Sequence, residues 1–107
     1  MSREVKRVEL PAKIKGEFFV RAINPIEDID REDALQAAGE DKKRRIAIQL
    51  SAFACTSEGE QMYPTAEAAL EYMGQASTKT GVVMKVVLAG VKLNNLDDEA
   101  IEGAEKN

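Results

Sequence analysis

The sequence predicts an α+β fold in which an N-terminal β-hairpin packs on a small bundle of four to five helices. Residues 1–24 contain alternating and clustered β-favouring side chains, whereas residues 25–107 carry apolar side chains mostly at helical spacing. The chain has 107 residues, of which 44% are hydrophobic and 32% charged, as is typical of one globular domain. We therefore predict a single domain over residues 1–107, with the hairpin in residues 1–24 and the helical part in residues 25–107.

The hairpin is predicted from two short strands within residues 3–12 and 13–23. Val8 and Leu10 alternate with charged neighbours, which gives the first strand one apolar and one polar face. Pro11 ends that strand because it has no N–H to donate to a neighbouring strand. A two-stranded hairpin is marginally stable alone in water, so we expect it to pack on the helices.

The first helix is predicted over Pro25–Ala38. Asn24 suits the N-cap position, with proline at the first helical position and Glu27 completing a capping box. Gly39 is a favourable residue for ending the helix. Asp30 offers a second N-cap, which leaves open a break within this helix.

The second helix is predicted from apolar residues at positions i, i+4, i+7 and i+8, namely Ile46, Leu50, Phe53 and Ala54. Glu40 and Asp41 are suited to the positive N-terminal end of its dipole. Cys55 is predicted to continue this helix as a small buried thiol, because no nearby group would lower its pKa.

Three further segments complete the helical part. A third helix begins near Thr65 and has an apolar face formed by Ala66, Ala69, Leu70 and Met73. Residues 82–93 are apolar nearly all round, with Lys85 and Lys92 on one face, which fits a buried helix. The valine pairs of this segment also suit a strand, and periodicity leaves that alternative open. A last helix is predicted to begin at Asp97.

The composition excludes most catalytic and metal sites. The chain has no histidine and a single cysteine, which excludes Ser–His–Asp and Cys–His centres, zinc sites and an internal disulfide. The segment GQASTKTG at residues 74–81 lacks the glycine before lysine that a phosphate-binding loop needs. The pattern Asp28-x-Asp30-x-Glu32 lacks the later glycine and glutamate of a calcium loop. Chemistry that uses carboxylates, lysine or tyrosine remains open, but no spacing in the sequence supports a carboxylate enzyme. We therefore predict no enzyme activity, no metal and no cofactor.

The charge and hydropathy of the chain limit the classes of partner that we expect it to bind. The net charge is −4, and residues 54–107 hold nine Asp/Glu against four Lys/Arg, which disfavours nucleic-acid binding. No run of about 18 apolar residues and no N-terminal signal peptide are present, so we expect no membrane association. Cys55 is the only cysteine, so an internal disulfide is impossible and we expect a reducing compartment.

The basic run from Lys42 to Arg45 favours a solvated helix face, and it leaves an acidic protein partner open. Tyr72 lies off the apolar face of the third helix, so we expect it to point outward, where tyrosine is enriched at interfaces. The predicted partner-binding residues are Phe19, Arg44, Arg45, Tyr63 and Tyr72.

Four stretches carry a resemblance to a known family. They are the opening residues 5–10 with 16–23, IAIQLSAFAC with SEGEQMY at 46–63, AEAALEYM at 66–73, and AGVKLNNL with DEAIEGAEKN at 89–107. In this order they resemble the phage tail assembly chaperones of the lambda G-protein type. The resemblance covers nearly the whole chain, and the ending is its most specific part.

The resemblance implies a non-enzymatic protein of the bacterial host cytoplasm. Such chaperones bind the tape-measure protein while tail-tube subunits polymerise around it, and they are absent from the mature virion. A longer form, made by ribosomal frameshifting, would recruit the tail-tube protein, and Glu105-Lys106-Asn107 is compatible with a slippery codon run. A homo-oligomer stays open. The alternatives are a structural tail-tube or head–tail joining subunit, and a small nucleic-acid-binding regulator that uses residues 42–45.

Overall fold

A three-stranded antiparallel sheet and four helices form the fold of residues 3–96, the part of the chain that the computed structural model describes. The elements in chain order are β1 (Val5–Arg7), β2 (Phe19–Arg21), α1 (Pro25–Ala38), α2 (Lys42–Phe53), β3 (Ala54–Cys55), α3 (Ala66–Met73) and α4 (Thr80–Leu93). The predicted α+β class is therefore confirmed. The predicted last helix beginning at Asp97 lies outside the described residues.

The sheet has the order β1-β2-β3. Strands β1 and β2 form the predicted hairpin, with Val5 opposite Arg21 and Arg7 opposite Phe19. Each of these strands has three residues, so they are shorter than the segments predicted to contain them. The hairpin gains its third strand from the segment that directly follows α2.

Strand β3 corrects the prediction that Ala54 and Cys55 continue the second helix. Ala54 has an extended backbone, with φ −67° and ψ 130°, and pairs with Val20 at the centre of the sheet. The side chains of Ala54 and Val20 are almost completely buried. The pairing with β2 supplies backbone hydrogen bonds and burial together, which outweighs the local helical spacing.

The helix ends follow the predicted capping chemistry. The side chain of Asn24 accepts a hydrogen bond from the Glu27 N–H, and the Glu27 carboxylate accepts one from the Asn24 N–H in return. Helix α1 continues without a break to Gly39, whose φ of 60° lies in the region that favours glycine. At the starts of α2 and α3, the side chains of Asp41 and Thr65 each accept one hydrogen bond, from the Arg44 N–H and the Ala68 N–H.

The core lies between α2, α3, α4 and the sheet. Residues 82–93 are helical rather than extended, which resolves the alternative that the valine pairs had left open. The most deeply buried side chains are Val20, Ala47, Leu50, Phe53, Ala54, Cys55, Ala69 and Val86. Phe53 packs against Gly90, where an added Cβ would lie 2.3 Å from the Phe53 Cγ atom. Helix α4 therefore approaches α2 at a distance that only glycine permits.

One asparagine joins the end of α4 to the segment between the sheet and α1. The Asn94 side-chain oxygen accepts a hydrogen bond from the Ile23 N–H at 2.8 Å. Its amide nitrogen donates to the carbonyl oxygens of Arg21 at 3.2 Å and Gly90 at 2.8 Å.

In residues 3–96 no helix has both the length and the apolar character needed to cross a bilayer.

Candidate partner-binding site

Two of the predicted contact residues form a stacked aromatic pair. Tyr63 lies in the loop between β3 and α3, Tyr72 lies near the end of α3, and their ring centroids are 4.9 Å apart with an interplanar angle of 27°. The Ser51 hydroxyl donates to the Tyr63 carbonyl oxygen at 2.7 Å, and the Thr78 hydroxyl donates to the Tyr72 carbonyl oxygen at 2.6 Å. The backbone on both sides of the stack is therefore fixed by side chains of neighbouring segments.

The expected outward position of Tyr72 needs correction. Its side chain is half-buried, because the ring rests on Tyr63 and packs against the edge of the core. The residue before Tyr63, Met62, is 39% exposed. We call Met62, Tyr63 and Tyr72 the tyrosine patch. Tyrosine and methionine are residue types that are enriched at protein interfaces.

The Tyr63 hydroxyl group of the patch is held in its neutral form. Burial raises the pKa of Tyr63 well above its ordinary value, and the neighbouring Tyr72 raises it further. The Tyr63 side chain therefore stays neutral at physiological pH. A neutral tyrosine offers a ring face and a hydrogen-bonding hydroxyl to a partner.

Arg44 and Arg45 have partners inside the chain. The Arg44 guanidinium pairs with Glu67 in the first turn of α3. Arg45 donates to the carbonyl oxygens of Leu35 at 2.8 Å and Gly39 at 3.0 Å, at the C-terminal end of α1. Both arginines thus join α2 to a neighbouring helix: Arg44 forms an ion pair, and Arg45 satisfies carbonyl groups that the C-terminal end of α1 leaves unpaired. The basic run is consequently less available to an external partner than its charge suggested.

Phe19 lies in the sheet, away from the other four predicted partner-binding residues. It is half-buried in β2, where it lies opposite Arg7 of β1 and opposite Cys55 of β3. Cross-strand neighbours share a face of the sheet, so the side chains of Phe19, Arg7 and Cys55 lie on the same face. The five predicted residues therefore occupy three places: the sheet, the start of α2 and the tyrosine patch.

A cleft of about 350 Å³ lies between α1 and the segment that joins α2 to α3. Two nearly buried arginines, Arg21 and Arg31, form part of its wall. The Arg21 Nε atom donates to the Ala52 carbonyl oxygen at 3.0 Å, and its guanidinium lies 3.7 Å from a Glu27 carboxylate oxygen. Burial would raise the pKa of Glu27, but the hydrogen bond from Arg3, the capping N–H and the charge of Arg21 together hold that pKa below its ordinary value.

Arg31 is the more completely enclosed of the two cations. Its guanidinium donates to the carboxylates of Asp28 at 3.0 Å and Glu32 at 2.8 Å, and to Gln49 at 2.8 Å. It also lies 5.8 Å from the centre of the Phe53 ring. Two carboxylates of the calcium-like pattern are thus engaged with Arg31, and the cleft presents cations whose charge is already compensated.

Cys55 is completely buried, and burial raises the pKa of its thiol. The interpretation of Cys55 as a core thiol is therefore confirmed, although it lies in a strand rather than a helix. Within residues 3–96, no group of three or more His, Cys, Asp or Glu side chains is arranged to hold a metal ion.

Sequence reasoning missed the apolar side chains on the outer faces of α1 and α4. Ile26 and Ile29 of α1 are 71% and 58% exposed, and Leu88 of α4 is 54% exposed. The prediction that residues 82–93 form a buried helix is therefore confirmed for the valine face of α4 and wrong for the face that carries Lys85, Leu88 and Lys92. The signal was present, because Leu88 lies three residues after Lys85 and four before Lys92 and so shares their solvent-facing side.

Comparisons with protein-family models, with curated proteins and with solved structures find no match for this chain. Its function is therefore inferred from its own residues and their arrangement.

Proposed function

We propose that the chain is a phage tail assembly chaperone that binds the tape-measure protein while tail-tube subunits polymerise around it, and that it is absent from the mature virion. The tyrosine patch is the observation that carries this proposal. Its residues come from SEGEQMY and AEAALEYM, two of the stretches that resemble the lambda G-protein type of chaperone. The stack thus brings two of the resembling stretches into contact, and the exposed Met62 directly precedes Tyr63.

The patch suits a long helical client. Tyrosine and methionine provide large contact areas, and Tyr63 and Tyr72 lose little side-chain freedom on binding because they are already stacked. An amphipathic client helix would place its apolar stripe against such a surface. Each contact is small because both rings are half-buried, so binding of one copy is weak and reversible. Many copies along one client would sum these weak contacts and still permit release as the tube grows.

The proposed role is non-enzymatic and belongs to the cytoplasm of the bacterial host, where the client is made. The thiol of Cys55 is buried, Tyr63 is held neutral, and the cations of the cleft are paired with carboxylates. These groups serve packing rather than proton or group transfer. A frameshifted longer form of the chain, which recruits the tail-tube protein, belongs to the same proposal.

The proposal is tested by co-expressing the chain with the tape-measure protein encoded downstream and measuring soluble complex by affinity pull-down. We expect the client to be soluble only when the chain is present. Tyr72→Ala should reduce recovery of the client, whereas Glu71→Ala, at an exposed position on the same helix, should not. Circular dichroism verifies that both variants are folded. Unchanged client recovery with folded Tyr72→Ala would remove the tyrosine patch from the binding surface.

The composition of purified virions distinguishes the chaperone from a structural subunit. Quantitative mass spectrometry should find the chain in lysates of infected cells and not in finished particles. A fixed number of copies in each virion would instead indicate a tail-tube or head–tail joining subunit. Rings or tubes formed by the chain alone would point in the same direction.

A further inference from the structure

The outer face of α1 combines an exposed apolar pair with carboxylates. Ile26 and Ile29 lie one turn apart and are the two most exposed large apolar side chains in residues 3–96. Asp30 and Asp33 follow at helical spacing on the same side of the helix. Among the described residues, neither aspartate is within ion-pair distance of a cation. We call these four residues the acidic face.

A groove of about 290 Å³ between β1 and α4 has the opposite character. Lys6 and Arg7 of β1 lie on one side of it, and Lys85 and Lys92 of α4 lie on the other, with the exposed side chain of Leu88 between the two lysines. Its other lining residues are Val8, Glu9 and Ala89. The groove therefore has four cations against one carboxylate. Within residues 3–96, Arg7 is the one cation of the four that forms an ion pair, with Glu17 at 3.8 Å. We call it the basic groove.

We propose that copies of this chain associate head to tail, with the acidic face of one copy seated in the basic groove of the next. Asp30 and Asp33 would lie against Lys85 and Lys92, while Ile26 and Ile29 would cover Leu88. The interaction is of the helix-in-groove kind, in which an apolar stripe enters a groove and flanking charges set the register.

Charge complementarity favours a second copy as the occupant. In a chain of net charge −4, the groove concentrates positive charge, and the acidic face provides apolar and anionic groups in the matching combination. Both surfaces are exposed within one copy, so neither covers the other. Because the two surfaces differ, the interface is heterologous, and each added copy leaves one acidic face and one basic groove unoccupied until the assembly closes. This inference does not depend on the proposed function, since it concerns the chain without its client.

The experiment is sedimentation velocity on the full chain over a range of concentrations. We expect the parent protein to shift from monomer to larger species as concentration rises. The shift should be lost in about 1 M salt, where the Debye length is about 3 Å. The variants Ile26→Ser/Ile29→Ser and Leu88→Ser should each weaken association roughly tenfold or more, as truncation of a central apolar contact does. Met84→Ser is the matched control, because Met84 is exposed on the same helix but lines a different cavity.

Mixing the two variants tests the head-to-tail geometry. The α1 variant keeps an intact basic groove, and the Leu88 variant keeps an intact acidic face. At concentrations at which each variant alone is monomeric, we therefore expect an equimolar mixture to form a one-to-one dimer and nothing larger. A parent protein that stays monomeric at every concentration would overturn the inference. So would an α1 variant that associates as the parent does, since that would indicate a symmetric contact of α4 with itself.

Discussion

Replacing Gly90 by alanine should destabilise the fold, although alanine is the better helix former. A Cβ at this position would lie 2.3 Å from Cγ, 2.5 Å from Cβ and 2.6 Å from Cδ2 of Phe53. Carbon atoms pack at about 3.5–4.0 Å, so α2 and α4 would have to separate by at least about 1.2 Å. Phe53 is completely buried, and its Cβ is fixed to the backbone of α2, so a change of side-chain rotamer does not relieve the overlap.

The magnitude follows from two opposing terms. Overpacking of a core costs about 1–3 kcal/mol, and this overlap lies at the upper end because backbone must move. Replacing glycine by alanine inside a helix raises the free energy of unfolding by about 1 kcal/mol. We therefore expect Gly90→Ala to lower the free energy of unfolding by about 2 kcal/mol and the melting temperature by about 10 °C.

Gly81→Ala is the matched control on the same helix. A Cβ at Gly81 meets no atom within 4 Å, and its backbone has no positive φ, so this variant should be neutral or gain up to about 1 kcal/mol. Urea unfolding followed by far-ultraviolet circular dichroism measures both variants. A Gly90→Ala protein as stable as the parent would refute the close approach of α4 to Phe53.

Two further substitutions test the contacts that hold α1 and α4 in place. Glu27→Gln should lower the free energy of unfolding by about 1–2 kcal/mol at neutral pH, because the carboxylate accepts hydrogen bonds from Arg3 and from the backbone of Asn24. The pKa of Glu27 is below its unfolded value of 4.5, so this stabilisation is present above that pH and is lost as pH falls through the folded-state pKa. Urea unfolding at pH 7 and pH 3 should show the difference shrink, and a constant difference would contradict the assignment. Asn94→Ala should cost about 2 kcal/mol by removing three hydrogen bonds, including that from Ile23, in the same assay. Equal stability of parent and variant would show that this connection contributes nothing.

The elements that sequence reasoning predicted well are those determined by neighbouring residues. The bounds of α1 follow from Asn24, Pro25, Glu27 and Gly39, all of which act within one turn of a helix end. The caps of α2 and α3 are local in the same sense. Strand β3 was missed because its conformation depends on pairing with Val20, which is distant along the chain.

The candidate site shows the same limit. The prediction that Tyr72 points outward was wrong because the ring packs against the edge of the core, and helical spacing cannot place a loop residue such as Tyr63 against it. The sequence showed the charge of Arg44 and Arg45, but it did not show their partners within the chain. Arg44 pairs with Glu67, and Arg45 donates to carbonyl groups at the end of α1. Which partner a side chain finds depends on how the helices pack, and that information is not local.

The proposed client interaction is tested most directly with purified components. Denatured tape-measure protein is diluted into buffer with or without the chain, and light scattering records its aggregation. We expect the chain to suppress aggregation in proportion to its concentration and to co-elute with the client, with folded Tyr72→Ala less effective than Glu71→Ala. Aggregation at the same rate with and without the chain would contradict the proposed function.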